Sequence, residues 1–301
     1  MAEIGRIGQK RYGGVFYEEF LPNLQGIKGI KTYQEMANND DTVGAILFAI
    51  KMLIRHAQWN VEPGGDTAKD KEAAEFVESC MNDMQSTWTD TISEILSFLT
   101  YGWSFHEIVY KRRMGKSRNK KTNSKYSDGL IGWQKLPIRA QDTLYQWEYD
   151  DKDNLIGMTQ QPPPDYGMFT IPLKKALLFR TESAKDNPEG RSILRNAYRP
   201  WYFKRRIQEI EAIGIERDLA GFPVIYGPEG VDLWAEDEET KKTLAALTGM
   251  VKNIRRDEYE GMVLPGGFKF ELVSTGGSRQ FDTNAIINRY DTKIAMTVMA
   301  D

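Results

Sequence analysis

The sequence is short of the residues that most enzyme chemistry needs. Its 301 residues include a single cysteine, Cys80, and two histidines, His56 and His106. One cysteine excludes an internal disulfide and a cysteine-rich zinc site, and fits a reducing compartment. Neither histidine has a second histidine or cysteine at ligand spacing, and no glycine-flanked serine nucleophile of the Gly-x-Ser-x-Gly kind occurs. No apolar run approaches the ~20 residues needed to cross a bilayer, and the opening MAEIGRIGQKRYGG lacks the apolar stretch of a secretory leader. The expectation is a cytoplasmic chain with no membrane partner. A charge excess is missing as well. Forty basic residues stand against forty-three acidic ones, a net charge of -3, so no global basic surface grips phosphate.

The nearest approach to a phosphate loop is Gly115-Lys116-Ser117. That motif needs a second glycine five residues earlier, and Tyr110 stands there in a strand-like run, so the backbone nest cannot form. The acidic clusters Asp237 to Glu239 and Asp257 to Glu260 sit in charge-rich segments beside helices and read as solvated faces. No catalytic residue, cofactor site or metal site is expected, and Cys80 reads as a small core residue.

What is present is an ordinary globular composition, 41% hydrophobic and 28% charged, in a chain long enough for one large domain with an insertion or for two domains. The first thirty residues mix glycine, charge and aromatics without a sustained period, and residues 1–40 read as an N-terminal arm. From Asp41, a helix is predicted with Val43, Ile46, Leu47, Ile50, Leu53 and Ile54 on one stripe. QWNVEPGG predicts a short strand around Trp59 and Val61. A second helical pattern runs from Phe76 to Leu99, breaks at Gln85 to Thr87 and stops at Gly102.

WSFHEIVYKRR, LIGWQKLPI, LYQWEYD, NLIGMTQ and MFTIPLKKALLFR read as strands, completing an α+β body over 41–185. The polar run Lys111 to Lys125 between two of them reads as a long hairpin tip. Its like charges and lack of apolar anchors predict poor order. Lys111, Arg112, Arg113, Lys116, Arg118, Lys120 and Lys121 here, with Lys252, Arg255 and Arg256 further on, are the candidate contacts to DNA or to an acidic partner.

Beyond the body, SILRNAYRPWYFKRRIQEIEAIGIERDLAG is helical, and Pro200 is expected to kink or split it. FPVIYGP predicts a strand, EETKKTLAALTGMVKNIRR a helix, and EGMVLPGGFKFELVST a strand pair turning at Pro265 to Gly267. DTNAIINRYDTKIAMTVMAD returns as a helix with Ile286, Ile287, Tyr290, Ile294 and Val298 at helical spacing.

The run from Asn187 to Pro228, with Glu189, Gly190 and Ser192 in its opening turn and Ala197 to Trp201 after it, resembles the portal proteins of tailed bacteriophages. Leu264 to Gly267 resembles their late strand turn, and the order of elements agrees from about Asp41 to Asp301. The resemblance implies a wing-like domain (41–185), a first stem helix (186–221), a clip-like α/β module (222–275) and a second stem helix (276–301). Portals continue from there into a tunnel loop and crown, so a chain truncated before them is expected.

It further implies a virion component, assembled in the host cytoplasm. About a dozen copies would form a closed ring at one capsid vertex. Double-stranded DNA would pass through it, and the terminase motor, capsid or scaffold protein and neck or adaptor proteins would dock on it. Ile207, Ile210, Ile287, Tyr290 and Ile294 are then the expected stem and subunit-interface residues. The alternative is a nucleic-acid-binding accessory protein or enzyme that uses the 111–125 loop.

Overall fold

A computed structural model describes residues 5, 7–220, 222–230, 232–234, 237–253, 263–264, 266–273 and 282–300. The chain divides into two compact units, residues 1–201 with 291–301, and residues 202–290. The divisions fall inside two helices.

The first unit begins with two short strands, β1 (Arg11–Tyr12) and β2 (Val15–Phe16), and five helices follow: α1 (Gly26–Asn39), α2 (Asp41–Arg55), α3 (Ala68–Asn82), α4 (Trp88–Ile95) and α5 (Ser97–Tyr101). Each break has a local cause. Asp40 leaves the helical conformation at φ -103° and accepts the Val43 N–H at 3.0 Å, so it ends α1 and caps α2. Thr67 and Asp70 form a reciprocal capping box on α3, and Thr87 caps α4 through the Asp90 N–H. Gly102, in the left-handed region at φ 92°, closes α5.

The strands that follow are all antiparallel: β3 (Trp103–Glu107), β4 (Val109–Arg112), β5 (Ile131–Lys135), β6 (Ile138–Arg139), β7 (Leu144–Tyr149), β8 (Leu155–Gln160), β9 (Phe169–Pro172) and β10 (Ala176–Arg180). They make three small sheets, ordered β10-β3-β6, β7-β8-β9 and β4-β5. Central β3 is covered on both faces, so its buried residues run without alternation. Trp103 and Phe105 meet Trp147 edge-on at 5.1 and 6.1 Å, while Ser104 donates to the Ile95 carbonyl at 3.0 Å on the other face. Beside Ser104, His106 Nδ1 lies 2.9 Å from the Leu136 carbonyl, and burial lowers its pKa. It is a neutral core residue.

The second unit holds α6 (Tyr198–Ala220) from Tyr202 onward, β11 (Phe222–Tyr226), α7 (Glu238–Asn253), β12 (Lys269–Val273) and α8 (Thr283–Ala300) up to Tyr290. β11 and β12 pair antiparallel from Phe222↔Val273 to Tyr226↔Lys269. Phe203 stacks on Tyr290 with centroids 6.3 Å apart, and the Thr283 hydroxyl donates to Glu211, so α6 and α8 meet within this unit as the stem spacing predicts. Helices and small sheets together make an α+β fold.

Four expectations are corrected. The last third of the N-terminal arm is helix α1, whose Tyr33 and Met36 are buried in the helical core. Residues 58–63 form no strand, because no neighbouring strand supplies a ladder there; Trp59 instead meets Trp88 edge-on at 6.4 Å. Pro200 is the third residue of an unbroken α6, in the first turn, where a missing N–H costs nothing. β12 pairs with β11, and of the arm expected opposite it before Pro265, Val263 and Leu264 lie outside any strand, while the rest of that arm and Pro265 lie outside the described residues. Among the described residues no helix is long and apolar enough to cross a membrane.

Candidate interaction surfaces

The basic segment is built, not loose. Asp83, just past the end of α3, receives the Lys111 ammonium at 3.0 Å, the Ser124 hydroxyl at 2.7 Å and the Lys125 N–H at 2.7 Å. The Lys111 and Asp83 side chains are 2% and 3% exposed. Burial pushes the Asp83 carboxyl up, but the Lys125 N–H, the Ser124 hydroxyl and Lys111 together hold it below the usual carboxylate value. Lys111 also donates to the carbonyls of Asp83 and Asn123, at 2.5 and 2.6 Å.

Two residues on, just past β4, Arg113 pairs with Asp128 at 2.6 Å, donates to Ser79 at 2.7 Å and lies 4.0 Å over the Tyr126 ring. The expectation of poor order is thereby corrected. Polar anchors do here what apolar ones were expected to do. Lys111 and Arg113 also leave the set of candidate contacts, since both are buried against carboxylates of their own chain. Arg112, Lys116, Arg118, Lys120 and Lys121 face solvent, as does Lys252 on α7; Arg255 and Arg256 lie outside the described residues.

The turn of the NPEGRS segment positions the start of α6 rather than a ligand. The Ser192 hydroxyl donates to the Thr100 carbonyl at 2.5 Å and accepts the Leu194 N–H at 3.0 Å. Arg195 grips Glu19 with both arms, at 2.6 and 2.8 Å. Glu189 accepts the Trp147 indole N–H at 3.2 Å, yet burial pushes its carboxyl up to about 7.

The five candidate stem residues divide. Ile207, Ile287 and Tyr290 are half-buried. Ile210 is 66% exposed, on a helix that also exposes Tyr202, Phe203 and Ile213. Ile294 is fully buried inside its own chain, among Met36, Val43, Leu47, Leu194, Ala197 and Trp201, and its assignment to a subunit interface is corrected. The spacing that placed it on a packed face was right about burial and silent about which chain covers it.

Carboxylates of Asp40, Asp41 and Asp291 approach within 4.8 Å of one another, but Asp40 caps α2 and Asp291 accepts the Thr42 hydroxyl at 2.7 Å, which accounts for both. His56 lies exposed at the end of α2.

The sequence matches the model of one family, described as the portal protein of Mu bacteriophage, over residues 30–300. Two solved structures share the fold. A chain of "Virion of native gene transfer agent (GTA) particle" aligns at a TM-score of 0.51 and 9% identity, covering 89% of this chain and 67% of that one. A chain of "Neck of empty GTA particle computed with C6 symmetry" aligns at 0.53 and 10%, covering 89% and 68%.

Proposed function

The chain belongs to the portal-protein family typified by bacteriophage Mu, a family of structural particle components, and on that premise we propose that about a dozen copies close into a ring at one vertex of a capsid. The ring is the conduit for double-stranded DNA during packaging and ejection, and the docking platform for the terminase motor, the capsid or scaffold, and neck or adaptor proteins. In this reading 41–185 is the wing, 186–221 and 276–301 are the stem, and 222–275 is the clip. The chain works in the virion, after assembly in the host cytoplasm.

The observation that supports the ring is the outer face of α6. Ile210 and Ile213 lie three residues apart on α6, and both are exposed in the single chain. An apolar helical stripe left in water marks a surface that another molecule covers. In a closed cyclic assembly that molecule is the next copy. The overall charge of -3 suits a conduit, since DNA that must slide is not held by dense phosphate contacts. The alternative of a nucleic-acid-binding accessory protein or enzyme loses two of its cations, because Lys111 and Arg113 are committed to Asp83 and Asp128.

Negative-stain imaging with light scattering tests the reading. The purified protein is expected to give rings with a central hole and the mass of about a dozen chains. Small particles that bind DNA in a salt-sensitive manner would overturn it.

A further inference from the structure

The hairpin of β4 and β5 carries a surface that the portal reading does not itself assign. Lys111 and Gly132 face the body, where a side chain on Gly132 would come within 3.4 Å of Cys80 Sγ. The alternate positions face outward. Tyr110 pairs with Trp133 and Arg112 with Ile131, so these four share one face. Tyr110 and Ile131 are exposed on it, and Met114 and Leu130 are exposed just beyond the strand ends. Around this apolar centre stand Arg112, Lys116, Arg118, Lys120 and Lys121, none of which forms an ion pair among the described residues. An aromatic, methionine and arginine centre with a charged rim is the composition of a protein interface. A surface that only tracks phosphate has no use for the exposed Ile131 and Leu130.

The charge balance says which protein. Eight of the forty basic residues and none of the forty-three acidic ones lie in 111–125, so the rest of the chain carries thirty-two cations against forty-three anions, a net charge of -11. A second copy of this chain therefore offers the complement. The helix that carries the hairpin supplies the acidic side. Phe76, Ser79 and Cys80 of α3 meet the hairpin through Arg113. At about 100° per residue, Glu75 and Glu78 turn away from that contact. They are exposed, as is Glu72.

We propose that the basic hairpin of one copy docks on Glu75 and Glu78 of the next copy, head to tail around the ring. Cation and anion on different sides of one small module are what a heterologous interface needs, because each subunit must present both halves. The polar anchors on Asp83 hold the hairpin in place before the neighbour arrives, so less order is lost on docking. The inference rests on the ring reading.

The test is a charge-reversal cycle on the full chain, read by light scattering in low and high salt. Reversing the hairpin (Lys116→Glu, Lys120→Glu, Lys121→Glu) is expected to lower the ring fraction about tenfold in low salt, and reversing the helix (Glu75→Lys, Glu78→Lys) to do the same. Combining both sets is expected to restore it. Unchanged thermal unfolding of each variant's single chain separates lost docking from lost fold. Rings that tolerate the reversed hairpin, or a combined variant that stays apart, overturn the inference while leaving the ring reading standing. Intact rings with impaired DNA retention overturn it in favour of nucleic acid. If the unmodified protein makes no ring, the ring reading itself falls.

Discussion

Gly102 and Gly190 lie back to back: a methyl group on Gly190 would sit 2.3 Å from the Gly102 carbonyl oxygen, and one on Gly102 would sit 2.6 Å from the carbonyl oxygen of Glu189. Both are in the left-handed region, at φ 92° and 57°. The end of α5 and the turn that leads into α6 touch backbone to backbone here, and no side chain fits between them. Replacing either with alanine combines backbone strain with a contact that cannot relax by moving a flexible side chain. A loss of at least ~2 kcal/mol is expected from each, read by denaturant unfolding of the single chain. Alanine at Gly64, which has open space and no positive φ, is the neutral control.

Asp83→Asn would remove the charge that Lys111 faces and leave an ammonium buried without a counter-ion. The expected cost is about 3–5 kcal/mol. New trypsin cleavage should follow at Lys116, Arg118, Lys120 and Lys121 as the tip comes free. The same anchor titrates. Because the folded carboxyl lies below its ordinary value of 3.8, the stability it contributes is present above that value and lost as pH falls through the folded pKa. Tip protection in the natural protein should therefore begin to weaken only below pH 3.8 and be lost as pH falls through the lower folded value.

Glu189 titrates in the opposite sense. Its carboxyl is raised from 4.5 to about 7, so the folded state favours the protonated form; that stability is full below 4.5 and lost as pH rises through about 7. Glu189→Gln keeps the shape and can still accept the Trp147 N–H. Relative to the natural protein, it is expected to gain stability progressively between pH 5 and 8, read as a difference in melting temperature. A constant difference across that range would remove the titration from Glu189.

Two isoleucines predicted for the same role should now behave differently. Ile294 is buried within its own chain, so Ile294→Ala is expected to cost about 2–4 kcal/mol of single-chain stability, and Ile294→Asp to prevent the body from folding. Ile210 is exposed. Ile210→Asp should leave single-chain melting within about 0.5 kcal/mol of the natural protein while reducing ring formation. Chemical unfolding and light scattering on the same two samples decide it.

The division between what was legible and what was not follows the range of the forces involved. Helix caps and stops are local, and Gly102 and the break before Trp88 could be read from a few neighbouring residues. Strand-prone runs were legible as runs; their partners were not. Nothing within FELV says that it pairs with a segment more than forty residues away. The basic tip was misread because its anchor, Asp83, lies 28 residues from Lys111 in sequence.

By itself, the sequence determined that the chain is α+β and that it carries none of the common catalytic or metal motifs, because periodicity, turn chemistry and residue supply are written along the chain; the order of its elements carried a resemblance to portals. Only the tertiary structure decided which charges and which apolar residues remain available to a partner. Lys111 and Arg112 are neighbours in the sequence, and one is sealed against a carboxylate while the other faces water. Strand alternation separates them, and what waits on each side is brought there from elsewhere in the chain.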